Sequence, residues 1–244
     1  EFMDSIGEQV NFDRLARTFE TIMTGKIPLK FIDFDIDKFV RYNQFEGLYL
    51  GVGAHTNDRL SRRFKAGGFW GYGFRDETAK YGADASVVLH KGSEVELTAG
   101  YFYDVTESGG VNYLDEKKSF LRGEGFRNFL IRRMNMTERA YAMLQFRALK
   151  HFKWNISFRS DHKTAYPDYM YGQFKNGTGM LKSDFRFTEI SAGFRFAFRE
   201  KFLQTKRIRI SLGTKYPVLR FQYTRGLDGM LNAEFDYHRF DLKL

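Results

Sequence analysis

The chain has 244 residues, a formal net charge of +9 and a mean hydropathy of −0.48, a length that suits one or two soluble domains or a single barrel. No apolar run approaches the roughly 18 residues of a membrane-spanning helix, and with no cysteine in the chain disulfides, thiolate chemistry and cysteine-ligated metals are excluded. The cations are interleaved with apolar residues rather than gathered in one stripe, which argues against nucleic acid and for acidic lipid headgroups as the counter-charge.

In chain order, Phe12, Leu15, Ala16, Phe19, Ile22 and Met23 recur at three- and four-residue spacing. This predicts a short amphipathic helix, capped by Asn11 and ended by Gly25, within a lead-in of residues 1–25. Residues 26–244 are expected to form one barrel domain, and between Leu48 and Leu212 the chain repeatedly alternates apolar and polar residues. Strands are predicted over 27–34, 46–55, 64–75, 79–90, 93–104, 136–149, 152–162, 185–199, 207–216 and 232–243. Phe152, Trp154, Ile156 and Phe158 alternate with Lys153, Asn155, Ser157 and Arg159, for example. Successive side chains of a strand point to opposite faces, so each run has one apolar and one polar face. Soluble strands usually stop after about five or six residues, whereas a tilted strand needs roughly nine to eleven to cross a bilayer. Repeated long alternation is the signature of an antiparallel transmembrane β-barrel, here all-β with about ten strands.

The expected lipid-facing set is Trp70, Tyr72, Phe74, Val87, Leu89, Tyr101, Tyr103, Trp154 and Phe196. The opposite face carries Lys65, Lys80, Asp84, Arg139, Arg159 and Arg195 among its charges. One choice of parity puts the links at 56–63, 91–92, 150–151 and 200–206 on one side and the long links at 105–135, 163–184 and 217–231 on the other. That is the short-turn, long-loop asymmetry of outer-membrane barrels. Within the first long loop, 117–133 reads as a basic helical segment. Lys117, Lys118, Arg122, Arg127, Arg132 and Arg133 are its candidate contacts to lipopolysaccharide.

Chemistry is sparse. The histidines His55, His90, His151, His162 and His238 fall in no metal-ligand spacing, and neither a Gly-x-Ser-x-Gly elbow nor a P-loop occurs. No cofactor or metal site is expected. The sharpest enzyme alternative is a lumen pair, Asp236 and His238, activating water as a protease or hydrolase. Ser86 and His90 on one strand face are a second such pair. A soluble β-sandwich would instead bury Trp70 and Trp154 between two sheets.

Over 41–82 the order Tyr42-Asn43, Glu46-Gly47, Thr56-Asn57, Phe64, Gly71-Tyr72-Gly73 and Lys80-Tyr81-Gly82 resembles a family of Gram-negative outer-membrane proteins. Its members have an N-terminal carboxypeptidase-regulatory-like sandwich and a C-terminal barrel of unknown function, similar to the BamA/TamA-type surface-antigen superfamily. The resemblance implies an outer-membrane location, outer-membrane lipid, lipopolysaccharide and other envelope proteins as partners, and a non-enzymatic role in envelope assembly or transport. A passive pore is the main alternative. It also implies a barrel of about sixteen strands, of which this chain would be a part. In Tyr223-Thr224-Arg225-Gly226-Leu227, Arg225 and Gly226 match the superfamily's Arg-Gly motif, which an external loop tucks into the lumen. The aromatic that follows glycine in that motif is missing here.

Overall fold

Long alternating runs become long antiparallel strands. The computed structural model describes residues 25–107, 134–165, 170–175, 178–204 and 209–244. The first strands are short: β1 (Lys26–Pro28), β2 (Ile32–Asp35) and β3 (Val40–Asn43). Then come β4 (Gly47–Thr56), β5 (Phe64–Gly73), β6 (Thr78–His90), β7 (Val95–Glu107), β8 (Met134–Ala148) and β9 (Phe152–Ala165). A hairpin of β10 (Tyr171–Lys175) and β11 (Thr178–Lys182) precedes β12 (Asp184–Ala197). A second hairpin, β13 (Lys201–Gln204) and β14 (Arg209–Gly213), precedes β15 (Val218–Gly226) and β16 (Tyr237–Lys243). Twelve strands form one sheet, in the order β1-β2-β4-β5-β6-β7-β8-β9-β12-β15-β16, with β3 beside β2 on the same edge of β4. Strands β6 to β9 and β12 run to 13–15 residues, well beyond the usual five or six.

The register sorts every strand of this twelve-stranded sheet into the same two faces. One face joins Lys80, Asp84 and Ser86 of β6 to Gly100 and Asp104 of β7, then to Thr137 and Arg139 of β8 and Ser157, Arg159 and Asp161 of β9. It continues to Glu189 and Ser191 of β12 and to Gln222 and Thr224 of β15. This polar face is the buried one. Among the described residues seventeen polar or charged side chains are buried against seven apolar ones, the reverse of a water-soluble core. The other face is apolar and open: Trp70 is 56% exposed, Leu89 61% and Ile156 44%.

The sheet curls about its polar face. Arg41 of β3 bonds Asp104 of β7 through Nη1 at 3.0 Å and through Nη2, although β4, β5 and β6 lie between them. Four steps of about 4.8 Å across a flat sheet would separate the two strands by roughly 19 Å, far beyond an arginine's reach. Missing side chains on β5 allow this closeness. A Cβ on Gly67 would strike the His55 imidazole, and one on Gly71 would strike the Tyr49 ring. Gly67→Ala is expected to cost about 1–3 kcal/mol as an overpacked contact, read as a lower denaturant midpoint at unchanged slope.

Several expectations need correction. The sheet is not closed: its path ends at β1 and β16, so the structure shows an open antiparallel sheet of twelve strands where about ten strands of a barrel were expected, and it does not show a barrel. The single strand predicted over 27–34 is a hairpin, because the chain turns at Leu29, whose N–H reaches the Ile32 carbonyl at 2.8 Å. The strand predicted over 207–216 is displaced. There β14 pairs only with β13, and β15, placed by the sequence in a loop, pairs with β12. Gly213, at φ +86°, ends β14 and lets the chain turn before β15 begins. The N-terminal helix and the helical segment 117–133, with Lys117, Lys118, Arg122, Arg127, Arg132 and Arg133, lie outside the described residues. The described residues contain only two 3₁₀ turns, Ile36–Lys38 and Met230–Asn232.

The strands connect through 57–63, 91–94, 149–151 and 198–217 at one end of the sheet. At the other end they connect through 74–77, 108–133, 166–183 and 227–236. The predicted asymmetry holds for three links of the first end. The fourth, carrying β13 and β14, is longer than a turn.

Candidate functional site

The densest constellation on the polar face is built by the short motifs of residues 41–82. Asn43 accepts from the N–H groups of Phe45 at 3.0 Å and Glu46 at 2.8 Å, a local turn that asparagine favours. Gly47 follows at φ +64°, a conformation that glycine takes without a Cβ penalty. The turn aims Glu46 inward. Its carboxylate accepts from Arg41 Nε at 2.9 Å and Nη2 at 2.6 Å, and also from Asn43. Lys80 Nζ lies 3.0 Å from it and 2.6 Å from Asp76. Beneath them Tyr49 is fully buried, with the Arg41 guanidinium 4.0 Å from its ring centre. Its hydroxyl is buried without a hydrogen-bond partner. Charges removed from water this completely are tolerated only when paired and hydrogen-bonded. Arg41, Glu46 and Lys80 each have two or more partners, whereas Asp76 has Lys80 alone and its Oδ1 is buried without a hydrogen bond.

A second cluster spans β8, β9 and β12. Arg139 makes a bidentate contact to Asp161 at 2.6 and 2.7 Å, Arg159 pairs with Glu189, and the Tyr237 hydroxyl donates to Glu189. A third contact places His55 between Asp35, 2.6 Å from Nδ1, and Asp84, 2.9 Å from Nε2. At the end holding 149–151, Arg195 donates to Glu200 at 2.8 and 2.6 Å and Ser211 donates to it at 2.5 Å. Burial opposes ionisation of Glu200, but these donors outweigh it and hold its carboxyl below the usual carboxylate range. Arg147 lies 3.1 Å from Glu94. The polar face is thus a set of mutually neutralising clusters. Among the described residues no group of three or more His, Asp or Glu could hold a metal ion.

The lipid-facing candidates Trp70, Tyr72, Tyr101, Tyr103, Trp154 and Phe196 share the apolar face by register, and Phe74, in the turn after β5, packs edge-on against Tyr72. Arg225 and Gly226 are not in a loop; they end β15, and Arg225 projects from the apolar face beside Ile190 and His238. It pairs with Asp236 at 3.7 Å, and both side chains are about half exposed. The expected reach into the lumen is not met. The cause is the displaced strand, which turns an inserted loop into sheet. An exposed pair of this kind contributes at most about 1 kcal/mol, so Arg225→Ala is expected to leave the denaturant midpoint nearly unchanged.

The enzyme pairs do not assemble. His238 accepts from or donates to the Tyr223 hydroxyl at 2.6 Å on the apolar face, while Asp236 faces Arg225. Ser86 is buried, whereas His90 is exposed and accepts from the Ser93 N–H. The sequence missed the His55 bridge, whose partners lie 20 and 29 residues away. The signal was Gly67, the gap through which His55 reaches β6.

The last stretch of the chain has a family counterpart. Residues 155–244 match the C-terminal domain of a family of unknown function, DUF5686. That segment contains β12, β15, β16 and most of β9, and so the Arg159–Glu189–Tyr237 cluster. No curated protein and no solved structure is similar enough to the chain to count as a match.

Proposed function

We propose that this chain is a wall of an outer-membrane β-barrel of a Gram-negative bacterium, non-enzymatic and acting in envelope assembly or transport. The observation that carries the reading is the inversion of the sheet: Trp70, Leu89, Leu97, Ile156 and Ile190 are exposed while Lys80, Asp161, Glu189 and Gln222 are buried. Water around the sheet would leave the apolar face unsatisfied, whereas a bilayer supplies its solvent, and the curled polar face becomes a lumen wall. Closed barrels are the sheets that bilayers admit, because an open edge in hydrocarbon leaves backbone groups unpaired. Among the described residues the sheet path ends at β1 and β16, and in a bilayer those edges need strand partners, which the larger BamA-like barrel implied by residues 41–82 would provide. The neutralised clusters favour a lumen wall organised by ion pairs over an open, singly charged pore.

The test is flotation of the whole chain, refolded with phospholipid vesicles, followed by a carbonate wash. Retention with the vesicles is expected, and recovery in the aqueous fraction would refute the membrane reading. Conductance across planar bilayers separates the alternatives: steady single-channel currents would favour the passive pore over an assembly or transport role.

A further inference from the structure

A cavity of about 450 Å³ opens at the end of the sheet that holds the 149–151 turn, lined by Arg147, Lys150, His151, Phe198, Arg199 and Phe202, with Glu200 at its side. Its charge is not balanced. Arg147 is matched by Glu94 and Glu200 is matched by Arg195. Lys150 and Arg199 form no ion pair among the described residues, which leaves two cations facing one recess.

The apolar side of the recess runs without a break into the apolar face. The His151 ring packs edge-on against Phe198 at 5.0 Å and Phe196 at 6.3 Å. Phe196 meets Phe152 at 4.8 Å, Phe152 meets Trp154 at 5.8 Å, and Trp154 meets Phe194 at 5.3 Å. A free anion would use only the cations. A molecule with an anionic head and hydrocarbon tails would use both the cations and the ladder of rings. Basic and aromatic residues at the edge of an apolar band are the usual partners of headgroups.

We propose that this cavity seats the phosphate of an anionic phospholipid, with Lys150 and Arg199 as its counter-charges and the acyl chains laid along the Phe196–Phe152–Trp154 ladder. The site rests on the membrane reading and adds to it a lipid class and a position. It lies at the end of the sheet that holds the short turns 91–94 and 149–151, the side where the leaflet of an outer membrane is phospholipid.

The experiment takes the whole chain in detergent micelles and measures lipid retention by native mass spectrometry. Phosphatidylglycerol and phosphatidylcholine of matched chains are offered, with inorganic phosphate as a separate arm. Two cations near a lipid phosphate predict a preference for phosphatidylglycerol on the order of tenfold. The Lys150→Gln/Arg199→Gln variant is expected to lose most of that preference, while Lys150→Arg keeps it. Both substitutions are at solvent-facing turns, and flotation of the variant with vesicles reports whether it still assembles. Equal retention of the two lipids, an undiminished preference in the double variant, or competition by millimolar inorganic phosphate would overturn the proposal. Failure of the wild-type chain to float with vesicles would instead overturn the membrane reading beneath it.

Discussion

Lys80→Met is expected to destabilise the folded chain by about 3–5 kcal/mol, the range for removing one partner of a buried ion pair. Lys80 has no exposed surface, and its ammonium group faces Glu46 at 3.0 Å and Asp76 at 2.6 Å. The methionine fills most of the volume, so the loss is electrostatic. Arg41 continues to neutralise Glu46, which leaves Asp76 as the stranded charge. Adding Asp76→Asn to Lys80→Met should therefore recover a large part of the loss, because a neutral amide is far cheaper to bury than an unpaired carboxylate. Urea unfolding of the vesicle-bound chain, followed by tryptophan emission, measures both. A double variant no more stable than Lys80→Met alone would show that the ammonium holds the β4–β6 wall through Glu46 and not through Asp76.

Ile156→Arg is expected to cost about 2–4 kcal/mol in a bilayer if its depth is near the midplane. The same substitution on a water-exposed face would fall within about 0.5 kcal/mol, since Ile156 is 44% exposed and no charge opposes it across the sheet, where Leu144 and Ala192 are its register neighbours. The two environments thus give different answers for one residue. Comparing the denaturant midpoints of Ile156→Arg and wild type in vesicles reads the cost directly.

The long strands were legible because alternation is a local property. Between 46 and 104, and again between 136 and 199, the predicted and observed strands coincide within a few residues, and the two faces follow from parity alone. What escaped prediction is set by chain reversal and by register. Residues 207–216 and 218–226 both alternate, as Ile208, Ile210 and Leu212 do in one and Leu219, Phe221 and Tyr223 in the other. Alternation cannot say which of two such runs joins the main sheet, and that choice also decides where Arg225 points. The hairpin of β10 and β11 was hidden in a stretch read as one long loop.

The polar site was half legible. Asn43, Glu46, Gly47, Gly71 and Lys80 stand in the short motifs of residues 41–82, and the structure brings them around Tyr49. Arg41 and Asp104 went unpaired in the sequence because 63 residues and three intervening strands separate them. Their meeting depends on the curl of the sheet, which depends in turn on glycines at the polar-face positions of β5. Nothing in a single strand's pattern reveals that a missing side chain on one strand serves its neighbours on both sides.

On the proposed reading, the exposed apolar face is solvated by lipid and the buried polar face lines an interior. The absence of cysteine allows single cysteines to be introduced at each position from 152 to 159 and labelled with a nitroxide in vesicles. Accessibility to dissolved oxygen should then peak at 152, 154, 156 and 158, with minimal accessibility there to a water-soluble nickel complex, giving a period of two residues along β9. High nickel accessibility at those even positions, or no alternation at all, would contradict the account.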